Sequence, residues 1–117
     1  MNIISIAGLT MFPSFLSHSL SKAALHSLTQ ATRVFLGGQG TLVIGVYPGP
    51  VDTDMAAQAL DKVSPESVAA AILDGIEAGI EEIYPDPMAR QFGAAYSSAP
   101  KELERQVAAE MAEPAVA

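Results

Sequence analysis

With 117 residues, half of them hydrophobic and only 16% charged, the chain can form one ordered domain with an aliphatic core and has no room for a second of ordinary size. A formal charge of −7, with six scattered basic residues, argues against binding through a phosphate backbone, so no nucleic-acid partner is expected. The absence of cysteine removes disulfides and thiolate metal sites, and two histidines without carboxylates at ligand spacing predict no metal centre.

Met1 to Ile6 is a β-branched run ending at Ala7-Gly8, the pattern of a strand buried on both faces. The apolar stretch from Met1 to Leu16 lacks a basic leader and a cleavage site. Gly8, Thr10, Pro13 and Ser14 break it before spanning length, so a cytoplasmic protein with no membrane partner is expected. Thr10 to Ser17 reads as a loop. Ser19 or Ser21 is the expected cap of a helix on which Leu20, Ala24, Leu28, Ala31 and Phe35 recur at helical spacing, until Gly37-Gly38-Gln39-Gly40 stops it. Thr41 to Tyr47 carries the strongest strand signal and is ended by Pro48-Gly49-Pro50.

Val51 to Val63 reads as a loop or short helices over a site. Ser64-Pro65-Glu66 supplies an N-cap, a proline at the first helical position and an acidic first turn, and Val68, Ile72, Ile76 and Ile80 space out the helix that follows. Glu81 to Pro85 reads as a short strand closed by Pro85-Asp86-Pro87. Leu103, Val107 and Met111 then mark a last helix, with 113–117 fraying. This alternation predicts an α/β domain with three parallel strands joined by right-handed crossovers, residues 1–85 forming its core and 86–117 a helical tail. So small a parallel sheet has bare edges to cover, which points to a partner.

Three stretches then fall into order: Asn2-Ile3-Ile4-Ser5, His18-x-x-Ser21-Lys22-Ala23-Ala24-Leu25, and Pro48-Gly49-Pro50-Val51-Asp52-Thr53. Together they resemble the second half of the short-chain dehydrogenase/reductase family, whose pattern is an N-x-S-S stretch, a Y-x-x-x-K motif about a dozen residues on, and a P-G-x-V-x-T turn. The resemblance runs from Met1 to about Pro85. It implies a partial Rossmann-like, doubly wound fold and an NAD(P)-dependent oxidoreductase. Ser5 would polarise a substrate carbonyl, Lys22 would hold the coenzyme ribose, and Pro48, Gly49, Val51 and Thr53 would contact the nicotinamide end.

Two departures qualify what the resemblance implies. No G-x-x-x-G-x-G stretch occurs in the 117 residues, so the coenzyme, NAD or NADP, lacks the turn that carries its pyrophosphate to a helix N-terminus. His18 stands where the family places its proton-transferring tyrosine. Imidazole can act as a general acid or base without the large shift a phenol needs, but it is shorter in reach, and displacement by about 1 Å costs on the order of a hundredfold in rate. The implied state is a chain impaired or inactive alone, a truncated family member completed by a second chain carrying the missing half.

Each feature also has a plainer role. Ser5 can cap local backbone, His18 and Lys22 can be solvated helix residues, His26 can be surface or partial core, Asp52 and Asp54 can be turn caps, and Pro48-Gly49-Pro50 ends a strand in any fold. A second reading is a non-catalytic homodimeric assembly module that buries the apolar face from Leu20 to Phe35 and the uncovered first strand. A third takes Ser5 and His18 as a hydrolase pair, without a G-x-S-x-G elbow or an orienting acid.

Overall fold

Three short parallel strands set the frame. In the computed structural model, which describes residues 1–50 and 63–111, β1 (Asn2–Ile3) pairs with β2 (Gly45–Val46), and β2 pairs with β3 (Glu82–Ile83), in the order β1-β2-β3. Asn2 faces Gly45, which faces Glu82; Ile3 faces Val46, which faces Ile83. The predicted strand runs are longer than these ladders, but backbone bonds extend the pairing: Asn2 N–H donates to Ile44 O, Ile4 N–H to Val46 O and Tyr47 N–H to Ile83 O.

Among the described residues there are four α-helices: α1 (Leu16–Leu36), α2 (Pro65–Glu77), α3 (Pro87–Ser98) and α4 (Pro100–Met111). Side-chain alternation along β2 divides the core in two. Ile44 and Val46 pack with Ile83 and with Ile72 of α2. Tyr47 packs with Ile4 and Leu9, and with Leu25 of α1, Tyr84 and Tyr96 of α3 around them. At the far end of α1, the Arg33 guanidinium donates to Val43 O and Glu81 O and pairs with the Glu81 carboxylate, which ties the helix to the entries of two strands. Among the described residues no helix is long and apolar enough to cross a membrane.

The start of α1 differs from expectation. The helix begins at Leu16, and neither predicted serine caps it: Ser19 Oγ accepts from Phe12 N–H, and Ser21 Oγ donates back to His18 O. Pro13 nucleates a 3-10 turn over Pro13–Phe15 that runs directly into the helix, so the chain turns helical earlier than a serine-cap reading allows. Its predicted apolar stripe also points away from the core. Leu20, Leu28 and Phe35 are 61%, 57% and 80% exposed, and the fully buried side chains of α1 are Ser19 and Thr29. Thr29 accepts from the Asn2 amide and donates to Leu25 O, which fastens the helix to β1.

At α2 the expected cap is present, with Ser64 Oγ accepting from Ser67 N–H and Pro65 opening the helix. Val68 is buried, whereas Ile76 and Ile80 are exposed. Instead of merely closing β3, Asp86-Pro87 starts α3. Asp86 Oδ1 accepts from Ala89 N–H with proline at the first helical position, the same device as Ser64-Pro65. Leu103 and Val107 of α4 are buried, as their spacing predicts.

Candidate functional site

Beyond Ile4 the chain leaves the sheet. Ser5 has extended backbone, and its hydroxyl accepts from Ala7 N–H at 3.0 Å, capping a 3-10 turn over Ile6–Gly8. That turn makes two close approaches. Ile6 N–H donates to Pro48 O at 3.1 Å, which sets the Ser5 turn beside the Pro48-Gly49 turn at the carboxyl ends of β1 and β2. Gly8 lies against α1, where a Cβ would come within 2.8 Å of Lys22 O and of Ile4 Cγ2. Only glycine lets the Ser5 turn and the Lys22 turn of the helix approach so closely.

Lys22 Nζ donates to Ile3 O at 3.2 Å, which brings its ammonium to the strand residue two before Ser5. His18 lies one turn earlier on the same face of α1 and is half-buried. Among the described residues its side chain makes no hydrogen bond with Ser5 or Lys22, so the Ser5–His18 contact of a hydrolase is not formed.

Asp86 holds the Pro48-Gly49 turn from below. It is buried, and its Oδ2 accepts from Gly49 N–H at 2.8 Å while Oδ1 serves the α3 cap. A Cβ on Gly49 would lie 2.8 Å from Oδ1. Sequence reasoning missed this link, since a carboxylate 37 residues from its amide leaves no spacing signal. The Asp-Pro pair was nevertheless a legible helix start. Val51 and Thr53, together with Asp52 and Asp54, lie outside the described residues; Val63 N–H returns to Pro50 O at 3.1 Å.

Behind the turn, Tyr47 Oη lies 2.8 Å from His26 Nδ1, and the phenol ring packs edge-on to His26 and tilted against Tyr84. His26 is therefore half-buried against the core, and among the described residues its buried Nε2 has no hydrogen-bond partner. Burial, opposed by Glu82 and reinforced by Arg33, lowers the His26 pKa. Burial first and Glu82 second push the Tyr47 phenol up to about 12. Tyr84 is raised as well, by burial and then by Glu82, whose carboxylate accepts from its hydroxyl. Both phenols are thus held in their neutral form, packed against His26 and Glu82 behind the turn.

The donors at the strand ends suit the nicotinamide-ribose end of a dinucleotide. The Ser5 hydroxyl accepts one bond and retains its proton, the Lys22 ammonium has spent one of three donors, and the Pro48-Gly49 backbone is fixed beside them.

The short chain dehydrogenase family model matches residues 1–64. An uncharacterized oxidoreductase of Staphylococcus saprophyticus is 34% identical over 80 residues, covering 65% of this chain and 34% of its own length. Another, from Staphylococcus aureus, is 36% identical over 76 residues, covering 62% and 33%. The crystal structure of a short chain dehydrogenase from Burkholderia cenocepacia in complex with NADP superposes with a TM-score of 0.83 at 31% identity, covering 91% of this chain and 45% of that one. The chain thus spans about a third of the length of the curated relatives it matches.

Proposed function

The chain belongs to the short chain dehydrogenase family, and from that premise we propose that it forms the substrate side of an NAD(P)-dependent oxidoreductase site. The observation that carries this reading is the Ile6 N–H to Pro48 O bond, with Lys22 reaching the adjacent strand. It gathers three motifs that lie far apart in sequence at the carboxyl edge of a parallel sheet, where ligands of such folds bind.

The roles follow from position. Ser5 donates a hydrogen bond that polarises a substrate carbonyl, His18 exchanges the one proton with the same oxygen, and Lys22 binds ribose hydroxyls. The Pro48-Gly49 turn, with Val51 and Thr53, borders the nicotinamide ring. The coenzyme, when bound, supplies or accepts the hydride. Its pyrophosphate and adenosine need the glycine-rich half of the fold, from elsewhere in the same polypeptide or from another chain. Without that half the 117 residues do not turn over.

The test is a fusion of the first half of a full-length family member, glycine-rich turn included, ahead of Met1. Such a fusion should reduce simple carbonyl compounds slowly with NADH or NADPH, and His18→Tyr should raise the rate by on the order of a hundredfold. A folded fusion whose rate responds neither to His18→Tyr nor to Ser5→Ala would remove the reading.

The exposed apolar face of α1 favours a second reading, in which the chain is a non-catalytic homodimer. Leu20, Leu28 and Phe35 are exposed apolar side chains at helical spacing that a second copy would cover.

A further inference from the structure

The helix that carries His18 starts without a side-chain cap. Its N-cap residue is Phe15, whose side chain makes no bond to the first-turn amides. Uncapped helix ends fray, so the place of His18, in that first turn, depends on what else holds the start of α1. Phe12 holds it. Its N–H donates at 3.1 Å to the Oγ of buried Ser19, the neighbour of His18, and its carbonyl accepts from Phe15 N–H at 2.9 Å. Residues 13–15 are exposed, whereas the Phe12 ring is half-buried and stacks on Phe92 of α3, with centroids 5.7 Å apart and planes at 23°, within the range of favourable aromatic pairs.

The helix bearing Phe92 is itself fixed along its length. At its start Asp86 accepts from Gly49 N–H at 2.8 Å. Next to Phe92, Gly93 lies so close to the Tyr84 ring that a Cβ there would come within 2.6 Å of it. The helix also lies against the Ile6–Gly8 turn that Ser5 caps.

We infer that Phe92 is a positioning residue of the site: through Phe12 it sets where His18 stands relative to the Gly49 turn, which the same helix holds through Asp86. A single helix thereby keeps Ser5, His18 and Gly49 in one geometry. Displacing a proton-transfer group by about 1 Å costs on the order of a hundredfold in rate, so loosening of this first turn is read in turnover. The inference rests on the reading of the site as an oxidoreductase site, and it adds a residue that lies beyond the 1–64 matched by the family model.

The test begins with amide hydrogen exchange in the 117-residue protein and its Phe92→Ala, Phe92→Tyr and Val68→Ala variants, the last a truncation of a buried side chain in α2. In Phe92→Ala the Phe12 and Phe15 amides should exchange about tenfold or more faster, while the Thr29 amide within α1 and the Gly49 amide held by Asp86 keep their rates. Phe92→Tyr, which retains the ring, and Val68→Ala should leave the Phe12 and Phe15 amides as in the wild type. Unchanged Phe12 and Phe15 amides in Phe92→Ala, or acceleration of all four amides together, would overturn the inference.

The same substitutions are then placed in the fusion described above. Phe92→Ala should lower kcat for carbonyl reduction by about tenfold or more with the coenzyme KM unchanged. Phe92→Tyr should restore it, and Val68→Ala should leave it as it was. A kcat that ignores Phe92→Ala, or that falls equally in Val68→Ala, would overturn the positioning role. If the amides respond as expected but the folded fusion does not turn over, the hold of Phe92 on the helix start stands and the oxidoreductase reading falls.

Discussion

Gly49 and Asp86 are joined by a 2.8 Å hydrogen bond from the glycine amide to the buried carboxylate, and the second carboxylate oxygen caps α3 at Ala89. One side chain therefore fixes both the Pro48-Gly49 turn and the helix behind it. Asp86→Ala leaves two amides without an acceptor in a buried place, and should cost about 2–4 kcal/mol from the lost cap and the unpaired donors together. Asp86→Asn, which keeps one carbonyl oxygen, should recover part of that. Urea denaturation of the three proteins checks the order.

Gly8→Ala should destabilise by about 1–3 kcal/mol, because the new methyl meets the backbone carbonyl of Lys22 and the Ile4 side chain at 2.8 Å and neither can move without shifting α1 from the Ser5 turn. The same measurement reads it. Gly38→Ala, where a Cβ meets nothing within 4 Å, is the matched control and should be near neutral.

Stability should fall with acid through His26. Burial lowers its pKa in the folded state, so below about pH 6.5 the unfolded chain takes up a proton that the folded chain refuses. The contribution is fully present above that value and is lost as pH falls toward the lowered folded pKa. A buried Nε2 without a partner among the described residues supplies the structural reason. Urea midpoints between pH 7.5 and 5.5, chosen as roughly bracketing the unperturbed value, should decline for the wild type and flatten in His26→Gln.

Much of this arrangement could be read in advance, and the exceptions have physical causes. Ser64-Pro65 and the β-branched runs act locally, so the α2 start and the alternation of strands and helices along the chain were legible from neighbouring residues. Leu20, Leu28 and Phe35 keep a helical period but face outward, because periodicity reports that a stripe exists and not what covers it. The early start of α1 was hidden because a proline-opened 3-10 turn, and not a serine, begins it. The family motif located Ser5, His18, Lys22 and Pro48-Gly49. Asp86 and the His26–Tyr47 contact depend on tertiary packing between distant segments, which no spacing encodes.

If a second copy covers α1, Leu28→Glu should convert a dimer to a monomer in sedimentation velocity while preserving secondary structure, since Leu28 is 57% exposed in the single chain. A wild-type protein that sediments as a monomer at every concentration would remove the homodimer.

The most direct measurement is a fluorescence titration with NADH and NADPH of the folded fusion, of its Lys22→Met variant and of the 117-residue protein. Saturable binding by the fusion, weakened by about tenfold or more in Lys22→Met and absent from the 117-residue protein, is the predicted result. A folded fusion that binds neither coenzyme, or that binds equally well with methionine at position 22, would contradict the assignment of this strand-end site to the nicotinamide side of an oxidoreductase.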